Sequence, residues 1–126
     1  MYAAALEKAE LPGVVFRACN FLPTFQKHAG CVCGGVQIHV TDREAFEPVR
    51  CGVALVKTAF DKYRKDFMWK QTAYEYVYDR NPFDVIAGTD KLRLMIEEGN
   101  SINEIAASWD DELDKFKRLR ERYLLY

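Results

Sequence analysis

The sequence predicts an α+β fold, a single domain with a small antiparallel or mixed sheet packed by three to four helices. Three observations carry the prediction. Two β-branched segments lie in the first third of the chain, amphipathic helical periodicity dominates the remainder, and proline, glycine and capping signals punctuate the boundaries. At 126 residues, 49% of them hydrophobic, the chain is long enough to bury one core and too apolar to stay disordered.

Residues 1–10 suggest a short helix, which Leu11, Pro12 and Gly13 end. Residues 14–19, Val-Val-Phe-Arg-Ala-Cys, read as a strand with Arg17 on the face opposite Phe16. Residues 20–30 read as a loop leading into a second strand over 36–41. There Val36, Ile38 and Val40 alternate with Gln37 and His39, which puts the apolar set on a core face and the polar pair on the other. Gly34 and Gly35 before it suit either a close approach to a ligand or a bulge or tight turn. Thr41 to Glu44 has the capping-box form, and Pro48 opens a helix near 48–65 whose stripe is Val49, Val53, Val56, Phe60 and Tyr63, with Lys57 outside it.

Tyr74, Tyr76 and Tyr78 alternate as a third strand near 74–78. A short helix over 83–86 ends at Gly88, with Asp84 placed to cap it. Thr89 or Asp90 caps a helix near 90–98 that buries Leu92, Met95 and Ile96 and stops at Gly99. A last helix near 101–122 starts with the Ser101–Glu104 capping box. Its stripe is Ile102, Ile105, Trp109, Leu113, Phe116 and Leu119, with acids early and bases late, as the helix dipole favours.

A formal net charge of -1 argues against a general nucleic-acid binder, and no apolar run reaches the roughly 20 residues that span a membrane. The N-terminus lacks the features of a secretory signal, so the chain is expected to be either cytoplasmic or a fragment. Cys31 and Cys33 are too closely spaced for ordinary zinc ligands, and no second close pair accompanies them. No metal and no cofactor is expected.

Gln37 and His39, roughly 6.6 Å apart on one strand face, have a separation that two hydroxyls of a sugar ring can bridge. A half-exposed strand with solvated side chains produces the same pattern. The nearby carboxyls Asp42, Glu44 and Asp84 are explained by turn and cap roles, so no catalytic residue is assigned.

Several segments together form a more specific pattern, in order across nearly the whole chain. They are Leu11 to Val14, Phe16 with Arg17, Pro23 to Phe25 with Lys27, and Cys33-Gly-Gly-Val-Gln-Ile-His-Val40 followed by Asp42 and Arg43. Phe46 with Pro48 and Val49, Tyr74 to Tyr76, Pro82 with Asp84 and Gly88, Trp109, and the closing Tyr-Leu-Leu-Tyr complete it. In these residues the sequence resembles the C-terminal domain of the bacterial exo-β-N-acetylmuramidases, peptidoglycan-recycling glycosidases. Ala18 and Ala73 stand where that family often has proline, and Cys19, Cys31 and Cys51 lie outside the pattern.

The resemblance implies that residues 1–126 are an auxiliary domain closing a cleft against a Rossmann-like N-terminal catalytic domain that is absent from this chain. It implies a substrate too, peptidoglycan fragments that lose N-acetylmuramic acid from the non-reducing end. The cell envelope or the exterior of a bacterium is the location it suggests. The expected substrate-binding residues are Gln37 and His39, for sugar hydroxyls or the acetamido group, and Arg17, Lys27 or Arg43, for the lactyl carboxylate. A docking module that never touches sugar is the alternative.

Overall fold

The computed structural model describes residues 2–125, which fall into two compact units, the first ending at Phe67 and the second beginning at Met68. The class is α+β, with helices that are shorter and more numerous than the sequence predicts.

The first unit contains α1 (Tyr2–Glu7), β1 (Val14–Phe21), β2 (Cys33–Val40) and α2 (Pro48–Lys62). α1 ends earlier than the sequence suggests, and Glu10 turns the chain at φ 46° before Gly13. Six residues make a marginal helix in water, so α1 depends on its neighbours. It packs against both strands and against α2, with Leu6 0% exposed and Ala3 buried. Tyr2 Oη donates to the Leu55 carbonyl at 2.6 Å. Burial, and secondarily Tyr63 and Cys51 close by, raises the pKa of the Tyr2 phenol.

The strands form a two-stranded antiparallel ribbon with unbroken register from Val14 opposite Val40 to Phe21 opposite Cys33. A hairpin alone is barely stable in water, and the α1 packing is what supports this one. Both strands reach further toward the connecting loop than the sequence predicts. Gly34 and Gly35 lie within paired β2, so they make neither a bulge nor a turn. Gly13, at φ 66°, can only be glycine: an added Cβ would sit 2.8 Å from the Phe46 nitrogen and closer still to the Asp42 carbonyl. Its own carbonyl accepts from Thr41 N–H at 2.9 Å, tying the segment after β2 to the start of β1.

Two expectations for this unit are corrected. Residues 41–46 form a turn rather than the start of a helix, because Asp42 Oδ1 accepts from the Glu44 and Ala45 N–H groups at 2.9 and 3.2 Å. The buried stripe of α2 consists of Cys51, Val53, Ala54 and Lys57, while Val49 is 61% and Tyr63 46% exposed. Cys51 and Ala54 are small enough for α1 to approach closely, and that contact selects the face. Lys57 is carried into it and pairs with Asp61 at 2.7 Å.

The second unit contains α3 (Pro82–Ala87), α4 (Lys91–Glu98), α5 (Ile102–Ala107) and α6 (Asp110–Arg120). Residues 74–78 are a turn, not a strand: Glu75 has φ 53°, and Val77 N–H reaches the Tyr74 carbonyl at 3.0 Å. Tyr76 and Tyr78, 86% and 81% exposed, project from it into solvent. α3 is capped by Asn81, whose side chain accepts from Phe83 N–H at 2.9 Å, so Asp84 is not the cap. Gly88 and Gly99 take the left-handed C-cap conformation at φ 74° and 89°, as the sequence predicts. Leu92, Ile96 and Ile105 form the buried core.

The Ser101 capping box is present in both directions, at 3.2 Å to Glu104 N–H and 2.7 Å from Ser101 N–H to the Glu104 carboxylate. The single long helix expected after it breaks at Ser108. There the Ser108 hydroxyl donates to the Ile105 carbonyl at 2.7 Å, and Trp109 becomes the N-cap of α6.

Candidate functional site

Directly opposed residues of an antiparallel ribbon share a face, so the register assigns every side chain of β1 and β2 to one side or the other. Val14, Phe16, Val36, Ile38 and Val40 share the side on which α1 covers β1, burying Val14 and Phe16. The β2 half of that side is only partly covered, with Ile38 43% and Val40 45% exposed, short of the full core face expected from the alternation.

The opposite side carries the candidate site. Arg17 lies directly across from Gln37, and His39, across from Val15, occupies the next rung. Three of the five expected binding residues therefore stand together, on adjacent rungs spaced by about 6.6 Å. Arg17 and Gln37 are exposed, whereas His39 is partly buried. Among the described residues the His39 Nε2 is closed off from solvent and has no hydrogen-bond partner.

The two remaining expected residues are separated from each other. Lys27 is exposed in the loop joining the strands, between Gln26 and His28, both left-handed at φ 60°. The Gly30 N–H donates to the Pro23 carbonyl at 2.9 Å and closes that loop. Arg43 is exposed beyond the other end of β2, in the turn that Asp42 organises. With eight residues in β2, these ends lie about 23 Å apart along the strand.

Sequence reasoning missed Phe21, because residues 20–30 read as a loop. Phe21 is the last residue of β1 and belongs to the same side as Arg17 and Gln37. Its ring leans diagonally over Gly35, with Cε1 2.8 Å from where a Cβ on Gly35 would be. The readable signal was a glycine pair in one strand facing an aromatic at the end of the other.

In the second unit, a polar cavity of about 560 Å³ is lined by Asp79, Arg80, Asp84, Asp90 and Arg93 among others. Asp84 is occupied there. Both its oxygens accept from the Arg93 guanidinium at 2.9–3.1 Å, and Arg93 also reaches Glu97 at 3.4 Å. The hydrogen bond to Asp84 raises the Arg93 pKa above its ordinary value. Asp84 thus staples α3 to α4 rather than serving as a free acid.

The four cysteines are free thiols: Cys51 buried, Cys19 and Cys33 partly buried, Cys31 exposed. Burial raises the Cys51 pKa. Among the described residues, no His, Cys, Asp and Glu side chains converge as a metal site, and no helix is long and apolar enough to cross a membrane.

The chain matches the family described as "Exo-beta-N-acetylmuramidase NamZ, C-terminal" over residues 1–126. It is 42% identical over 121 residues to the peptidoglycan beta-N-acetylmuramidase NamZ of Bacillus subtilis (strain 168), covering 96% of this chain and 27% of that protein. The chain thus spans about a quarter of that relative, its C-terminal part. The crystal structure of a DUF1343 family protein from Bacteroides fragilis NCTC 9343 has the same fold, with a TM-score of 0.78 at 23% identity. That likeness covers 99% of this chain and 32% of the other. The chain belongs to the family of C-terminal domains of the NamZ exo-β-N-acetylmuramidases.

Proposed function

From that membership we propose that this chain is the auxiliary domain of a peptidoglycan glycoside hydrolase that removes N-acetylmuramic acid from non-reducing ends. A preceding domain supplies the catalytic carboxylates, and this one completes the sugar cleft. The observation that carries the reading is the rung on which Arg17 faces Gln37, exposed, with His39 next to it on the same side. The Arg17 guanidinium suits the lactyl carboxylate of muramic acid, since a charge-assisted fork is stronger than a neutral contact. Gln37 offers both a donor and an acceptor to the acetamido group or to ring hydroxyls. Arg43 or Lys27 extends the surface at one end or the other.

The test is an NMR titration of the labelled chain with a disaccharide of N-acetylmuramic acid and N-acetylglucosamine, with the corresponding glucosamine-only sugar as control. Saturable shifts at the amides of Arg17, Gln37 and His39 are expected. Arg17→Ala should then abolish the preference for the muramic sugar. Flat spectra at millimolar sugar would sink the reading.

Docking on a neighbouring domain without touching sugar is the second reading. The observation favouring it is α6, which buries no residue although Leu113, Phe116 and Leu119 form an apolar stripe along it.

A further inference from the structure

We propose that Phe21, held over Gly35, is the stacking platform of the sugar site and sets which ring of a glycan lies beside Arg17 and Gln37. The inference rests on the sugar-binding reading above and adds to it a residue that the motif around Gln37 and His39 does not contain.

The geometry is specific. In the ribbon register Phe21 opposes Cys33 and Cys19 opposes Gly35, so Phe21 starts one rung beyond Gly35 and two beyond Arg17 and Gln37. Its ring crosses back over that rung. Cε1, Cζ and Cδ1 come within 2.8, 3.7 and 3.8 Å of the place where a Gly35 side chain would begin. Any Cβ at position 35 would collide with the ring, so the glycine is what lets the aromatic lie toward the polar pair. Phe21 nevertheless remains 51% exposed.

A half-exposed phenylalanine leaning over Gly35, on the same side of the ribbon as the exposed Arg17 and Gln37, adds an apolar surface to a face that carries hydrogen-bonding groups. A pyranose has the matching chemistry: C–H bonds across one face, hydroxyls and substituents around its rim. Stacking that face on Phe21 removes apolar surface from water while Arg17 and Gln37 engage the rim.

The purely structural explanation is that the ring shields the Gly35 backbone and stabilises the ribbon. Phe21→Leu separates the two, because leucine still covers Gly35 but cannot stack. In titrations with the muramic disaccharide, wild type should show saturable amide shifts at Arg17 and Gln37 together with upfield ring-current shifts of sugar C–H protons. Phe21→Leu should weaken binding by roughly tenfold and remove the upfield shifts, while Phe21→Tyr retains both. Gly35→Ala should push the ring aside and weaken binding similarly with the amide spectrum still dispersed, since the atoms it displaces belong to the free end of one side chain. If Phe21→Leu binds as wild type does and the sugar protons never move upfield, Phe21 is only structural and this inference fails, leaving the Arg17–Gln37 site intact. If wild type shows no shifts at Arg17 or Gln37, the sugar-binding reading itself fails and this inference falls with it.

Discussion

α2 and α6 are both amphipathic helices with an apolar stripe legible in the sequence, yet α2 buries Cys51, Val53, Ala54 and Lys57 while α6 buries nothing. The stripe of α6 is the bulkier of the two, with Phe116 57% and Leu119 51% exposed. α2 meets α1, whose Leu6 is 0% exposed, across small residues that permit close packing. α6 is held by local terms instead. Asp110, Asp111 and Glu112 stand in its first turn and Lys117, Arg118 and Arg120 in its last, which complements the helix dipole. Periodicity therefore shows which face of a helix needs a partner. It does not show whether the same chain provides one.

The largest expected effect comes from breaking the packed member. Ala54, 0% exposed, replaced by Asp places an unpaired charge in the α1–α2 contact, and should cost roughly 4 kcal/mol or more. Both tryptophans, Trp69 and Trp109, lie after Phe67, so their fluorescence reports the second unit while amide dispersion over residues 14–40 reports the first. Collapse of the second signal with the first retained is the expected outcome. Retention of both would mean that α1 and α2 are not packed as described.

A matched truncation sharpens the contrast. Leu6→Ala removes a fully buried side chain and should destabilise by about 3 kcal/mol. Leu119→Ala, the same chemical change on an exposed stripe, should stay within about 0.5 kcal/mol in the isolated chain. Denaturant melts of the two variants test this directly. A loss above about 1 kcal/mol for Leu119→Ala would show that α6 has a packing partner in solution.

The smallest effect concerns the local terms. The hydrogen bonds from Ser101, side chain first and backbone second, lower the Glu104 pKa below its ordinary value. A carboxylate whose folded pKa is depressed contributes stability above the unfolded value, about 4.3, and loses it as pH falls through the folded one. Amide protection at Ser101 and Glu104, taken relative to the intrinsic exchange rate at each pH, should fall over that acid range, and Glu104→Gln should flatten the response. Unchanged protection down to the lowest pH at which the chain stays folded would rule out this contribution.

The candidate site divides along the same line. Strict alternation assigned Arg17 to one face of its strand and Gln37 and His39 to one face of theirs, and only the antiparallel register brought those faces to the same side. Lys27 and Arg43 were grouped with them by chemistry alone, and they lie outside the ribbon, in the loop between the strands and in the turn after β2. Asp84 was read as a cap from its position near a helix start. Its partner Arg93, nine residues on, is a contact between two helices that spacing does not announce. Phe21 escaped notice because a ring reaching over a glycine on the next strand leaves no periodic trace.

What the sequence by itself determined are the features governed by a residue and its near neighbours. The left-handed caps at Gly88 and Gly99, Pro48 in the first turn of α2, the Ser101–Glu104 box and the strand alternation all belong to this class. Each depends on backbone sterics or on a hydrogen bond spanning a few residues, so local identity suffices. Tertiary structure alone decided which face of α2 is buried, why Lys57 lies inside it, how far the ribbon extends and where the Phe21 ring rests. Those outcomes depend on the size and position of partners distant in sequence, and burial is settled by the closest packing such partners allow.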